Sequence, residues 1–431
     1  MQRDARPVLR LSPGQGRRLR AGAPWVFSNE IAMRPEYRRL PPGGLVRLEA
    51  DDGGRFGTFM FNPHSLIAAR LLDRDPDAEI GVAWLRQRLA AAIALRGRLC
   101  EGAFHRLVHA EADRLPGLVI DRYDDVAVLA ANTAGMELLT PLIVEALLAL
   151  LPLRTIVGRN DSAARKLEGL PEGVTLLHGS DAATVVAEGG VRFPVDLLTG
   201  QKTGWFFDQR GNRDQVAGLA SRIASPVLSG LSRATDLSGL GDAAEQGCED
   251  AAPASRGARV LDVFCHTGAF GVRCAAAGAD SVLLVDASAP ALDLALQAAA
   301  SNGVADRVTA RRGDAFDIMT ALAAEGERFD IVICDPPAFA RSRKDAEAGL
   351  RAYGRMARLA AALVAPGGFL FVASCSHHAP LDAWTAQIAF GLHRARREGR
   401  ILCTSGAGPD HPVHPQLPET AYLKAQLLQL F

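Results

Sequence analysis

The stretch "ASCSHH", residues 373–378, places a thiol, Cys375, where the apolar run "GGFLFV" gives way to polar residues. Free cysteine behaves as a small buried hydrophobe unless its surroundings make it a thiolate or a ligand. Three roles are therefore open to Cys375: core filler, metal ligand or nucleophile. The metal role needs more ligands at suitable spacing. His377 and His378 are adjacent on an extended segment and point to opposite sides, and no second ligand pair accompanies them, so no metal is expected.

Four other apolar runs end in groups that bind or react. "LDVFCHTGAF" (261–270) ends a strand and turns at Thr267-Gly268. Its glycines are too sparse for the GxGxxG of pyrophosphate binders, because Phe264 and Cys265 stand where small residues would be needed. The next run ends in Asp286, about 20 residues on, where a carboxylate can accept both ribose hydroxyls of an adenine nucleoside. Asp314 in "GDAF" can accept an adenine amino group, and Asp335 in "DPPAF" sits on a loop stiffened by two prolines. Singly, each aspartate reads as a helix cap or turn residue. As a series they fit a nucleoside with a sulfonium centre better than NAD. Cys265 and Cys334 rival Cys375 as thiols near strand ends, but core packing suits both better.

Three textures position these groups. Residues 1–75 read as short strands between turns: "LVRLEA", the turn "DDGG", "FGTFMF" and "SLIAARLLDRD" predict a small β-barrel, with "GRRLR" and "PWVFS" as an edge for RNA. Residues 76–190 mix helical spacing ("IGVAWLRQRLAAAIALRGRL", "ELLTPLIVEALLALL") with strands ("LPGLVIDRYDDVAVLAAN", "TIVGRND") and predict a small α+β domain. From 191 onward, "ARVLDVFC", "SVLLVDAS", "RVTARRGD", "FDIVICDPP" and "GGFLFVASC" alternate with helices. That pattern predicts an α/β, Rossmann-like, doubly wound parallel sheet. Residues 222–257 are rich in Ser, Ala, Gly and Asp and read as a surface insertion.

The whole chain narrows the classes. It has 431 residues, too many for one ordinary core, and 48 basic against 48 acidic residues. With no net charge, a nucleic-acid partner would have to use local basic patches. "ARSRKD" (340–345), directly after Asp335-Pro-Pro, is such a candidate; "HRARREGR" (393–400) reads more as a solvated face. The seven scattered cysteines include no CxxC pair, which excludes a zinc finger or a disulfide framework and fits a cytoplasmic setting. No segment has the length and apolarity to span a membrane, so no membrane partner is expected. In "GQKTGWFFDQRGNR" (200–213), the rings of Trp205, Phe206 and Phe207 can wall a base, and Lys202, Arg210 and Arg213 can meet phosphates or a carboxylate.

"LDVFCHTGAF", "VDASAPAL", "GDAF", "CDPPAF" and "SCS" resemble motifs I, II, III, IV and VI of class I S-adenosylmethionine methyltransferases. The block at 200–213, with "PWVFSNEI", "RLVHAEADRLPGLVIDRYDD", "DHPV" and "ETAYLKAQLL", resembles the RlmI-type ribosomal RNA methyltransferases over nearly the whole chain. Two features depart from that pattern: the insertion at 222–257 and the two histidines after "SCS". The resemblance implies a PUA domain over 1–75, a central domain over 76–190 and a methyltransferase domain over 191–431. It implies S-adenosylmethionine as cofactor, held by Phe207, Asp208, Arg210, Phe264, His266, Thr267, Gly268, Asp286, Asp314 and Asp335. It implies RNA contacts from Arg17, Arg18, Lys202, Arg341, Arg343 and Lys344, to 23S ribosomal RNA free or in an assembling large subunit; a homodimer stays open.

The implied reaction is methylation of cytosine C5. C5 is a poor nucleophile until a thiolate adds to C6, after which a base must remove the C5 proton. Cys375 is then the nucleophile, and Asp335 orients or protonates the ring. Two alternatives remain: methylation at another base atom such as guanine N7, which needs no thiol, and an RNA-binding ribosome assembly factor with a degenerate cofactor pocket. The acidic series speaks against the second.

Overall fold

A computed structural model describes residues 6–200, 204–223 and 257–431. Lys202 and all but the edges of the 222–257 insertion lie outside the described residues. Among the described residues no helix is long and apolar enough to cross a membrane.

The chain divides into two compact units. The first comprises residues 1–186, 195–208 and 408–420. It opens with five strands, β1 (Val8–Arg10), β2 (Trp25–Phe27), β3 (Gly44–Glu49), β4 (Arg55–Phe61) and β5 (Ile67–Asp73), in the order β1-β3-β4-β5-β2. The alternation read in "LVRLEA" and "FGTFMF" pairs β3 with β4 antiparallel and buries Val46, Leu48, Phe59 and Phe61. A four-residue helix α1 (Arg17–Arg20) carries the basic cluster.

A second sheet follows in the same unit. Its strands are β6 (Phe104–His109), β7 (Leu118–Tyr123), β8 (Val126–Ala131), β9 (Thr155–Asn160) and β10 (Gly173–His178), in the order β10-β9-β8-β7-β6. Helices α2 (Val82–Leu99) and α3 (Ala134–Leu150) cover it through a core that includes Leu85, Leu89, Ile143 and Leu147. A short helix α4 (Ala163–Leu167) follows β9. The contiguous boundary expected at 191 is not how the contacts fall, because 195–208 and 408–420 pack with the first unit. Arg159 donates to the Leu197 carbonyl at 3.0 Å, Arg96 donates to the Asp410 carbonyl at 3.0 Å, and the rings of His109 and His411 lie 5.0 Å apart.

A two-stranded ribbon, β11 (Thr184–Glu188) and β12 (Val191–Val195), precedes helix α5 (Arg210–Ile223). The sheet of the second unit contains β13 (Arg259–Val263), β14 (Ser281–Asp286), β15 (Val308–Arg312), β16 (Phe329–Cys334), β17 (Val364–Ser374), β18 (Gly399–Ser405) and β19 (Lys424–Leu430). Its order is β15-β14-β13-β16-β17-β19-β18. The five strands read from the sequence are parallel; β13, β14, β16 and β17 are mostly apolar, as strands covered on both faces must be, while the edge strand β15 is polar and largely exposed. Between them run α6 (Ala269–Ala276), α7 (Ala289–Ser301), α8 (Ala315–Ala324) and α9 (Ala346–Leu363), and α10 (Leu381–Arg394) follows β17. The expected sheet lacked its last two strands, which are antiparallel to the rest. The order reverses between β13 and β16, so ligands are expected outside the carboxyl ends of those two strands.

Buried charge ties α5 and α6 to β11. Glu188 receives Arg213 at 2.6 and 2.7 Å and Arg273 at 3.1 Å, and all three side chains are almost fully buried. Arg213 is therefore a structural ion-pair partner, not the phosphate or carboxylate ligand its sequence position suggested. Glu188→Ala would remove the carboxylate that two buried guanidinium groups share, with Arg273 keeping its bond to Asp214. The variant is expected to lose about 3–5 kcal/mol of unfolding free energy in chemical denaturation. A loss below about 1 kcal/mol would mean that water reaches the cluster.

Candidate active site at the carboxyl ends of the parallel strands

The turn after β13 is tightly wound. Phe264, His266 and Gly268 all take positive φ (63°, 50° and 72°), which residues with a Cβ seldom do. Hydrogen bonds hold it there: Cys265 N–H donates to the Val285 carbonyl (3.0 Å) and Gly268 N–H to the Cys265 carbonyl (2.8 Å). Asp286 braces the turn from the neighbouring strand. One of its oxygens accepts the His266 N–H (2.8 Å), and the other accepts the Ser288 N–H (2.9 Å). The carboxylate is thus fixed in orientation while staying half-exposed.

Beneath the turn lies Asp262, which the sequence reading did not single out. It is buried and accepts the Gly271 N–H at 2.9 Å. Gly271 has no room for a side chain, since a Cβ there would meet Leu284 at 2.4 Å. Burial, reinforced by the charges of Asp335 and Asp286, pushes the Asp262 carboxyl up to about 8. Three acids therefore sit close enough to repel one another.

Asp335, directly after β16, accepts the side-chain amide of Gln209 at 2.8 Å. Gln209 in turn accepts Asn212 (2.5 Å), which accepts the Ser405 hydroxyl (2.6 Å). The relay explains part of the 200–213 block: Gln209 and Asn212 aim Asp335. Sequence reading stopped at the aromatic and basic residues there. Asp314 caps α8, one oxygen accepting from Phe316 and Asp317 N–H at 2.9 and 3.1 Å. The cap and the adenine role are compatible, because its other oxygen makes no such bond. Phe264, Phe316 and Phe339 form a half-buried aromatic triangle with centroids 6.0–6.2 Å apart, a flat wall for a base.

The thiols separate clearly. Cys265, Cys274 and Cys334 are buried, and burial drives all three thiol pKa values up. Cys375, just past β17, is half-exposed. Its neighbours form a clamp: Ser374 Oγ donates to Tyr353 Oη (2.8 Å), Tyr353 Oη and Ser376 Oγ share a hydrogen bond (2.9 Å), and Ser376 Oγ accepts the Ala340 N–H (3.1 Å). The last bond ties the Cys375 loop to the loop that carries Asp335. His377 packs its ring 5.7 Å from Tyr422, and His378 is exposed. Among the described residues no cluster of His, Cys, Asp or Glu can hold a metal.

The remaining expected residues have surroundings of their own. Phe207 and Asp208 belong to the first unit, where the buried Phe207 ring packs 5.2 Å from Tyr123. Trp205 is buried there too. Arg210 opens α5, with its Nε 3.6 Å from Glu188. Thr267 is buried in the β13 turn. Arg341, Arg343 and Lys344 are exposed after the Asp335 loop, and Arg17 is exposed on α1. Arg18 lies 3.7 Å from Glu419 and 5.1 Å over the Phe27 ring. In "HRARREGR", Arg397 donates to the carbonyls of Ala361, Val364 and Phe431, a structural tie.

Comparison with known proteins completes the picture. Residues 9–74 match a PUA-like domain, and residues 254–404 match a methyltransferase domain. Ribosomal RNA large subunit methyltransferase I of Shewanella denitrificans is 32% identical over 429 residues, covering 98% of this chain and 99% of the relative. The protein of that name from Aeromonas hydrophila is 32% identical, with 97% and 98% covered. The chain belongs to the ribosomal RNA large subunit methyltransferase I family. A provisionally assigned S-adenosylmethionine-dependent methyltransferase from Streptococcus mutans shares the fold, with a TM-score of 0.75, 19% identity and 98% of this chain covered. A second solved structure, another provisional methyltransferase complexed with SAH, gives a TM-score of 0.77 at 19% identity. These likenesses bear out the expected family, the PUA-like and Rossmann-like folds and S-adenosylmethionine as methyl donor. The acidic site of this methyltransferase I chain suits that donor, whose ammonium and sulfonium charges would offset the carboxylates.

The raised carboxyl of Asp262 has a thermodynamic signature. The fold binds its proton more tightly than the unfolded chain does, whose carboxyl keeps the usual value of 3.8. Its contribution to stability is full below about pH 4 and is lost as pH rises toward about 8. Asp262→Asn, which mimics the protonated form, should shrink the stability difference between about pH 5 and about pH 8.5 by at least about 1 kcal/mol. Denaturation midpoints at the two pH values measure this; an unchanged difference would show that the carboxyl is ionised throughout.

Proposed function

We propose that this chain methylates C5 of a cytosine in large-subunit ribosomal RNA, with Cys375 as the attacking thiol and Asp335 as the group that orients and protonates the ring. The observation that carries this reading is the clamp. Among the described residues, the half-exposed thiol at the carboxyl edge of the parallel strands is fixed on both sides by serines and tied through Ser376 to the Asp335 loop. A methyltransferase acting on an already nucleophilic atom has no use for such a thiol.

When bound, S-adenosylmethionine supplies an electrophilic methyl group. Asp286 is oriented to accept ribose hydroxyls, the free oxygen of Asp314 to accept an adenine amino group, and Phe264 with Phe316 to wall the purine. Phe339, on the Asp335 loop, is placed to face the target base. The Cys375 thiolate adds to C6, and the electron pair of the C5–C6 double bond becomes available at C5. C5 would then bond the methyl group as the methyl–sulfonium bond breaks, the electron pair of that bond staying on the donor's sulfur, which leaves as a neutral thioether. A base removes the C5 proton, the C5–C6 double bond re-forms, and the sulfur leaves. Arg341, Arg343, Lys344 and Arg17 are exposed cations offered to RNA phosphates, with the half-exposed Arg18 next to Arg17.

Cys375→Ala is expected to abolish methylation, a loss of at least about 10³-fold, while S-adenosylmethionine binding by calorimetry is retained. RNA carrying 5-fluorocytosine should form a denaturation-resistant adduct with the wild type, mapped to Cys375 by peptide mass spectrometry. Nucleoside mass spectrometry of the product should show 5-methylcytidine. A fully active alanine variant, or 7-methylguanosine in its place, would overturn the reading. Gln209→Leu, which unties Asp335, should lower kcat by about 10- to 100-fold with little change in cofactor affinity.

A further inference from the structure

We propose that Lys424 is the cation that keeps Cys375 in its reactive thiolate form. Its part in catalysis rests on the reading of Cys375 above; its effect on the thiol does not.

Lys424 opens β19 and pairs directly with Ser374 in the antiparallel register, one residue before the thiol. Its ammonium donates to the Ser376 carbonyl at 2.8 Å, one residue after the thiol, and to the Tyr422 carbonyl at 3.4 Å. It therefore spans the backbone on both sides of Cys375. Both acceptors are neutral, and no carboxylate pairs with Lys424 among the described residues. A half-buried ammonium without an acid is unusual, because withdrawal from water is costly unless a counter-charge repays it. Burial lowers the Lys424 pKa, and the charge that acts in the opposite direction is that of Cys375. Three described groups near the thiol carry no positive charge to offer it or are turned to other partners. Tyr353, reaching in from α9, is held neutral, its phenol pushed up by burial and then by Cys375 itself. His377 lies against the Tyr422 ring, and Asp335, from the end of β16, is an acid held by Gln209.

The step this promotes is a simple ionisation: the S–H bond breaks, its electron pair stays on sulfur, and the proton goes to solvent before the RNA base arrives. An ammonium held beside a thiol favours its charged form by about one pKa unit or more.

The competing role is purely structural, with Lys424 acting as a peg for the Ser376 carbonyl. Glutamine at this position keeps an N–H donor and removes the charge, whereas arginine keeps the charge. Iodoacetamide labelling of Cys375 in the full chain, read by peptide mass spectrometry across pH, separates the two. Lys424→Gln should raise the labelling midpoint by about one unit or more, and Lys424→Arg should stay near the wild type. The acid limb of the kcat profile should move by the same amount, giving about a tenfold loss at neutral pH that is recovered in alkali. An unchanged midpoint in Lys424→Gln, or in Lys424→Met where the glutamine variant does not fold, overturns the proposal. An active Cys375→Ser variant beside a shifted labelling midpoint would instead remove the catalytic reading of Cys375 and leave the charge effect standing.

Discussion

The burial of Asp262 beside two further acids, Asp286 and Asp335, is the constraint on which the ligand edge of the sheet depends. Carboxylates at the ends of adjacent parallel strands favour an open edge unless something holds them in place. Backbone N–H groups supply that hold: His266 and Ser288 for Asp286, Gly271 for Asp262. The third acid is held by a side-chain relay through Gln209, Asn212 and Ser405. The wound turn at 264–268 follows from the same need. Positive φ at Phe264 and His266 aims an N–H at Asp286, and the strain of those conformations is offset by the charge-assisted bond they allow. One acid is pushed toward its neutral form instead, which limits the repulsion. Such an edge has unspent affinity for a cation, and S-adenosylmethionine brings one.

The other half of the site is built on opposite principles. Around Cys375 the described polar groups include hydroxyls, carbonyls and an ammonium. Tyr353 collects two serine hydroxyls whose backbone positions bracket the thiol, and Ser376 passes the constraint on to the Asp335 loop. β16 and β17 are neighbours in the sheet, and Cys334 pairs with Val372, so Asp335 leaves it level with Ala373, two residues before the thiol.

Much of this was legible in the sequence because it is local. Apolar runs ending in Asp286, Asp314 and Asp335 mark the strand ends, and the position of a strand end in a parallel sheet is the position of its ligand edge. What escaped is long-range or buried. Asp262 lies inside an apolar run, where it looks like an ordinary strand residue until Gly271 and two other acids converge on it. Arg213 lies in a basic, aromatic block that invites a phosphate, yet its partner Glu188 is 25 residues away in a ribbon that no local pattern connects to it. Phe207 and Asp208 follow a motif that reads as one piece, but the contacts split it after residue 208. Strands β18 and β19 were missed because, after five parallel strands, nothing in their composition announces a reversal of direction.

That reversal matters for chemistry. A sixth parallel strand would bring its carboxyl end to this edge, with the acids and turns that such ends carry in this chain. An antiparallel strand brings its amino end, and here that end is Lys424. The sheet thus presents acids at the ends of β14, β13 and β16, the thiol after β17, and an ammonium on β19, in that spatial order. On the proposed reading, the two reactants need opposite fields: a cationic methyl donor favours negative surroundings, and a thiolate favours positive ones. A single sheet edge can offer both only if charge changes sign along it. The change of strand direction after β17 is the topological means by which this chain does so.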